Sequence, residues 1–235
     1  MAKDEFINIP YNSPIKITRQ LRLGCIKKYA AQYSRGNLID LGCGIKPYEQ
    51  FFTPYVDNYF GVDYEPAAET NYQDLTRADL FADCTDTGLE SDSYDTLLST
   101  QVIEHVLDTK KFISECYRLL KKDGIGIFTI PFVWQLHAEP YDYYRFTRFL
   151  IESQFQDAGF EILELKPIEG PLATINQTKI ISLFYHGKIK NRYLAKFYNI
   201  YNKIRIPIIN YFTLKFDHMI ENKKTCLNYI LIVKK

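Results

Sequence analysis

No two of the five cysteines in this 235-residue chain form a C-x-x-C pair. Cys25, Cys43, Cys84, Cys116 and Cys226 stand singly, which speaks against a disulfide framework or a cysteine zinc site and reads as reduced thiols in a cytosolic protein. No apolar run approaches the ~18 residues that span a bilayer. Met1-Ala2-Lys3-Asp4-Glu5 carries acids with no apolar stretch behind it, so no secretory signal is expected. His186 and His218 lack metal-ligand spacing, and no metal is expected. Internal repeats and low-complexity tracts are missing. With a net charge of +1 there is no overall field to select nucleic acid, and none is expected as a partner.

That balance hides an asymmetry. Residues 188–224 hold nine Lys or Arg against two acids, leaving twenty basic against twenty-six acidic residues elsewhere. Two differently charged surfaces follow, the basic one near the C-terminus.

Hydrophobic residues at 46% and charged residues at 24% describe an ordinary globular chain, long enough for one α/β domain with an elaboration. A helix is expected over 17–32, with Leu21, Ile26, Tyr29 and Ala30 as its apolar positions. Short apolar runs at 37–41, 59–63, 78–83, 94–99 and 125–130 read as strands, the first ending in glycines and the second on an acid. A helix over 108–120 aligns Phe112, Ile113, Cys116, Leu119 and Leu120 on one face, and Asp123-Gly124 breaks it. Thr147 can cap another helix, with Phe149, Leu150, Phe155 and Ala158 facing inward and Gly159 ending it. The last strands fall at 160–168 and 228–233. Alternating strands and helices predict a Rossmann-like, doubly wound α/β sheet of about seven strands, with ligands at the strands' C-terminal ends. The expected divisions are an N-terminal segment and helix (1–36), a core (37–169), a basic amphipathic helical insertion (170–224) and a final core strand (225–235). In the insertion, an apolar segment over 175–185 ends at Gly187. Tyr193, Leu194, Phe197, Tyr198, Tyr201 and Ile204 then form an apolar face opposite Lys190, Arg192, Lys196, Lys203 and Arg205, and Pro207 interrupts.

Gly42 and Gly44 follow the first strand, and lacking a Cβ they let backbone approach a ligand closely. A dinucleotide fingerprint would carry a third glycine where Pro47 stands, so a pyrophosphate ligand is disfavoured. Asp63, at the end of the second strand, has the residue type that accepts from both ribose hydroxyls.

Leu38-Ile39-Asp40-Leu41-Gly42-Cys43-Gly44 resembles motif I of class I S-adenosylmethionine-dependent methyltransferases, and the 94–106 segment, Tyr94 through Glu104-His105-Val106, is similar to the fourth-strand motif of their type 11 group. The matches run in family order over about 37–168. The resemblance implies that Asp40 orients the amino-acid end of S-adenosyl-L-methionine, that Gly42 and Gly44 give the turn room, that Asp63 holds the ribose and that Asp83-Cys84 lie beside the adenine. Cys43, Tyr64, Thr100 and Gln101 complete the expected cofactor set. Ile45-Lys46-Pro47-Tyr48 departs from the usual continuation, but a Pro-Tyr step is common in related glycan-cluster methyltransferases. The segment from His137 through Pro140 and Asp142-Tyr143-Tyr144-Arg145-Phe146-Thr147 resembles methyltransferases associated with polysaccharide biosynthesis.

Methyl transfer to a hydroxyl benefits from a base, and histidine is the usual one. His137 lies in the loop leaving the fifth strand and is the candidate base or acceptor anchor, the alternative being a hydrogen bond that pins the loop. Asp142 and Arg145 are expected to pair with each other or cap a helix. His105 is expected to pack at the end of the fourth strand, with Glu104 a weaker pocket candidate. The expected function is methylation of oxygen on a small-molecule, glycan or lipid-linked acceptor. The rival is a non-catalytic cofactor-binding or scaffold relative. The insertion reads as a lid, a dimer surface or, through 188–224, a peripheral contact with an anionic membrane. A cytoplasmic location, including the inner membrane face, is expected.

Overall fold

A computed structural model describes residues 6–65, 76–184, 189–220 and 224–235. Its strands are β1 (Asn37–Leu41), β2 (Asn58–Asp63), β3 (Leu80–Phe81), β4 (Tyr94–Thr100), β5 (Leu120–Pro131), β6 (Glu161–Pro167) and β7 (Asn228–Lys234), and they form one seven-stranded sheet in the order β3-β2-β1-β4-β5-β7-β6. β1 to β5 pair in parallel, and β7 runs antiparallel between β5 and β6. The Rossmann-like α/β fold expected from the element order is present.

Both sheet faces are covered, and the pleat shows why the strands read as unbroken apolar runs. Successive side chains point to opposite faces. Ile39, Leu97, Phe128 and Leu231 pack on one side with Phe112, Ile113 and Cys116 of α3 (Thr109–Leu119) and Phe155 of α4 (Arg148–Asp157). Their neighbours Leu38, Leu98, Ile127 and Ile230 pack on the other with Leu23, Ile26, Tyr29 and Ala30 of α1 (Lys16–Tyr33) and Phe52 of α2 (Glu49–Phe52). A buried parallel strand needs apolar residues on both faces.

Several local expectations need correction. The third strand is only Leu80–Phe81, shorter than 78–83. β5 begins at Leu120, ahead of the Asp123-Gly124 break, because Leu120 already pairs with Tyr94 before the register shifts. Thr147 does cap α4, accepting from the Leu150 amide. However, Ile151 and Phe155 are its buried residues, while Phe149 (75%) and Leu150 (42%) are exposed. The cap fixes the helical phase, and residues four apart then share the inner face.

The larger correction concerns α5 (Pro171–Phe184) and α6 (Arg192–Phe216), which lie between β6 and β7 in the chain. α6 is one continuous helix through Pro207, which was expected to interrupt it. The apolar face is turned outward: Tyr193, Leu194, Phe197, Tyr201 and Ile204 are exposed, and Asn202, Ile206, Asn210 and Thr213 are buried. The inner face meets hydrogen-bonding groups. The Asn210 amide donates to the Tyr11 and Ser13 carbonyls, and Asn176 donates to the Thr213 hydroxyl. Behind them, Ile17 of α1 packs with Ala173, Ile180 and Ile206. Gly187, the expected end of the preceding segment, and His186 lie outside the described residues.

Candidate cofactor and acceptor site

Because β1, β2, β4 and β5 are parallel neighbours, the segments that leave their C-terminal ends share one edge of the sheet, the edge where such sheets bind ligands. The turn after β1 is built tightly. The Gly42 and Cys43 amides donate to the Val62 carbonyl at 2.8 and 3.1 Å. Gly42 has φ +76°, and a Cβ there would stand 2.3 Å from Val102 Cγ2, so glycine is required twice over. Asp63, at the end of β2, locks the turn: one carboxylate oxygen accepts from the Gly44 amide and the other from the Tyr64 amide, each at 2.8 Å. Burial raises the Asp63 carboxyl above its ordinary range.

Asp40 is 1% exposed. Its Oδ2 accepts from the Tyr59 hydroxyl, while Oδ1 is buried with no hydrogen-bond partner. Burial pushes this carboxyl up to about 7. An orphaned carboxylate oxygen beneath a glycine turn suits a ligand's ammonium group, which supplies donors and positive charge. The residues present therefore fit the amino-acid end of S-adenosyl-L-methionine.

Of the other expected cofactor residues, Cys43 is buried and burial raises its thiol, so it packs and is not reactive. Tyr64 is half-exposed just past β2. Asp83 is exposed after β3 and uses Oδ1 to accept from the Thr85 amide and hydroxyl. The Cys84 thiol, pushed up to about 12 by burial, packs against the core. Thr100 ends β4, and Gln101, at φ +57°, donates its amide to the Thr129 carbonyl and its side chain to the Thr129 hydroxyl. Residue spacing gave no sign of a second lock. The Lys46 ammonium pairs with Asp79, which also accepts from the Gly61 amide at 2.7 Å. Gly61 is needed because a Cβ there would lie 2.5 Å from Lys46 Cε and 2.7 Å from Cys43 Sγ.

The acceptor side is assembled from β4 and β5. A short 3-10 turn, Ile103–His105, follows β4, and the loop leaving β5 folds back onto it: the Tyr143 and Tyr144 amides donate to the Glu104 carbonyl at 2.9 and 3.3 Å. Asp142 and Arg145 pair through two 2.7 Å contacts, and Arg145 also donates to the Gln135 and Trp134 carbonyls. This clamp sets the loop's shape and presents His137, whose amide donates to Asp142 at 3.0 Å. The His105 and His137 rings meet edge to face with centroids 4.8 Å apart. Glu104 beneath them is fully buried, and burial pushes its carboxyl up to about 8. His137 is shifted the other way, because burial disfavours its cationic form. Glu104, ranked low on sequence, thus lies at the centre of the cluster. Its adjacency to His105 was visible, but the meeting with His137 depends on the pairing of β4 with β5.

Residues 39–128 match the family model described as "Methyltransferase domain". A probable S-adenosylmethionine-dependent methyltransferase of Mycolicibacterium smegmatis is 27% identical over 97 residues, 40% of this chain and 38% of that relative's length. Among solved structures, a SAM-dependent methyltransferase from Archaeoglobus fulgidus superposes with a TM-score of 0.58 at 15% identity, over 92% of this chain and 94% of that one. Phosphoethanolamine N-methyltransferase 2 of Haemonchus contortus, solved with S-adenosyl-L-methionine, gives 0.54 at 18% identity, over 100% of this chain and 60% of that one. These structural likenesses establish the fold. Residues 39–128 are thus similar to a methyltransferase domain, and the relative matched is described as S-adenosylmethionine-dependent.

Proposed function

We propose that this chain is an S-adenosylmethionine-dependent methyltransferase acting on a hydroxyl of a small-molecule, glycan or lipid-linked acceptor, akin to the methyltransferases associated with polysaccharide biosynthesis. The observation that carries the reading is the pair of carboxylates around the glycine turn. Asp63 is anchored at Gly44, and Asp40 keeps one buried oxygen unpaired. When bound, the cofactor supplies a methyl group on a positively charged sulfur. Asp40 holds the ammonium end, Asp63 the ribose, and Gly42 and Gly44 keep the approach clear. His137 receives the acceptor hydroxyl from the neighbouring loop, with Glu104 behind it. In this reading residues 170–224 are an accessory element on the 37–169 core, and no nucleic acid takes part.

The test is transfer of labelled methyl groups from S-adenosyl-L-methionine into cell extracts, comparing wild type with His137→Ala. Turnover is expected to fall about 100-fold, the lower end for a residue that handles a reacting proton, with cofactor affinity within about twofold of wild type. Equal turnover would reduce His137 to a loop support.

The lipid-linked acceptor is supported by the outward face of α6, where Tyr193, Leu194, Phe197 and Ile204 are exposed and the helix has five Lys or Arg and no acid. Among the described residues no helix is long and apolar enough to cross a membrane. An apolar face edged with bases lies in the headgroup region of an anionic leaflet instead. On this reading the protein works at the cytoplasmic membrane face. Sedimentation with vesicles containing about 30% anionic lipid is expected to carry down the protein, and neutral vesicles much less, since each base near an anionic surface contributes about 1 kcal/mol. Equal recovery with both vesicle types would remove the membrane contact.

A further inference from the structure

We propose that Glu104, His105 and His137 form a site for a divalent cation of the zinc type, beside the acceptor position. The function given to that cation rests on the methyltransferase reading; the site itself rests on geometry. One ligand atom from each residue lies within 4.8 Å of the other two. Glu104 Oε1 is 3.7 Å from His105 Nε2 and 3.9 Å from His137 Nε2. Glu104 is wholly buried, and neither of its oxygens has a hydrogen-bond partner. A buried carboxylate with no donor is costly to the fold unless a positive partner joins it. Oε1 faces the two imidazole nitrogens, and a cation between them would serve all three groups at once.

The surroundings of the histidines agree. His105 Nδ1 lies 2.8 Å from the Tyr141 carbonyl. His137 Nδ1 lies 3.3 Å from both the Gln135 carbonyl and Asp142 Oδ2. Arg145 comes equally near that nitrogen, but it donates to Asp142, Gln135 and Trp134. Each Nδ1 therefore directs its proton to an oxygen, leaving the Nε2 lone pair toward Glu104. This is the outer shell that orients metal-bound histidines and fixes their tautomer.

Ligands of a tetrahedral zinc, each about 2.1 Å from the ion, stand about 3.4 Å apart. The two Glu104 contacts need to close by only a few tenths of an ångström, and rotation of the partly exposed rings brings the imidazoles together. The histidine side chains are 25% and 31% exposed, which leaves one side of the cluster open. Two imidazoles and one carboxylate with an open fourth position are the ligand set of catalytic zinc. A hydroxyl oxygen in that position would release its proton to water more readily, as zinc does for a bound water. His137 would then act on the acceptor as a ligand.

Sequence spacing does not display this ligand set, because two of its residues are adjacent in the chain and the third lies across a strand pair. The test uses chelator-stripped protein titrated with Zn²⁺ by calorimetry and with Co²⁺ by visible absorption. One ion per chain is expected, and Glu104→Gln and His137→Ala should each lower zinc affinity about 100-fold or more, with the thermal midpoint of Glu104→Gln reported alongside as a check on folding. Failure to bind one ion per chain, or binding that survives both substitutions, overturns the site. S-adenosyl-L-methionine affinity is measured on the same samples. Its absence in wild type with zinc binding intact would sink the methyltransferase reading and leave the cation site standing.

Discussion

Asp63→Ala is expected to lower the affinity for S-adenosyl-L-methionine about 10³-fold, beyond ordinary calorimetric detection. Two effects add. A carboxylate accepting two hydroxyl donors contributes about 1.5–3 kcal/mol per charge-assisted bond, and about 4 kcal/mol is a factor of 10³. The same carboxylate tethers Gly44 to the end of β2, so its removal also loosens the turn that must approach the cofactor. Asp63→Asn separates the effects. It keeps the side chain's shape but replaces one acceptor with a donor, which opposes an amide now held at 2.8 Å. Affinity should fall less than in the alanine variant but still by at least about tenfold. Unchanged calorimetric titrations for both variants would remove Asp63 from the ribose site.

Gly42→Ala is expected to destabilise the protein by about 2–5 kcal/mol and to abolish cofactor binding. The positive φ costs a residue with a Cβ about 1–2 kcal/mol, and overpacking adds about 1–3 kcal/mol. The new methyl would meet Val102 Cγ2 at 2.3 Å, and a β-branched neighbour has little rotamer freedom with which to withdraw. For a chain of this size the melting temperature should drop by roughly 10 °C. Adding Val102→Ala makes a double-mutant cycle. It should restore the overlap part and leave the backbone part, so about half of the loss remains. Full recovery would show that the left-handed conformation carries no cost here, and no recovery would show that the overlap carries none.

The central strands could be read from the sequence because β1, β4, β5 and β7 are buried on both faces, leaving continuous apolar runs such as Leu38-Ile39 and Leu97-Leu98. The glycine turn and Asp63 were legible for a similar reason: each ends a strand, and strand order places them at one edge. The Lys46–Asp79 lock, the Tyr59–Asp40 bond and the Glu104–His137 contact join residues with no fixed spacing, and they arise only when strands pair. The buried face of α6 was not legible, for a physical reason. An apolar stripe stands out in a sequence, whereas a buried face of amide side chains reads like an ordinary solvated one. Here the neighbour offers the carbonyls of Tyr11 and Ser13, which amide side chains satisfy and apolar ones cannot.

Those same bonds bear on how the chain can be divided. Asn210 reaches back across almost the whole sequence to Tyr11 and Ser13, Gln177 holds Pro14 and Thr18, and Ile206 closes over Ile17. The segment between β6 and β7, an addition by position in the chain, is by attachment a brace for the first helix. Trimming it to obtain a minimal catalytic body would uncover Ile17 and unfasten α1, whose other residues cover one face of the sheet. What looks like an appendage in the linear order is not a detachable module, and its gain or loss in a lineage has to involve the N-terminal residues as well.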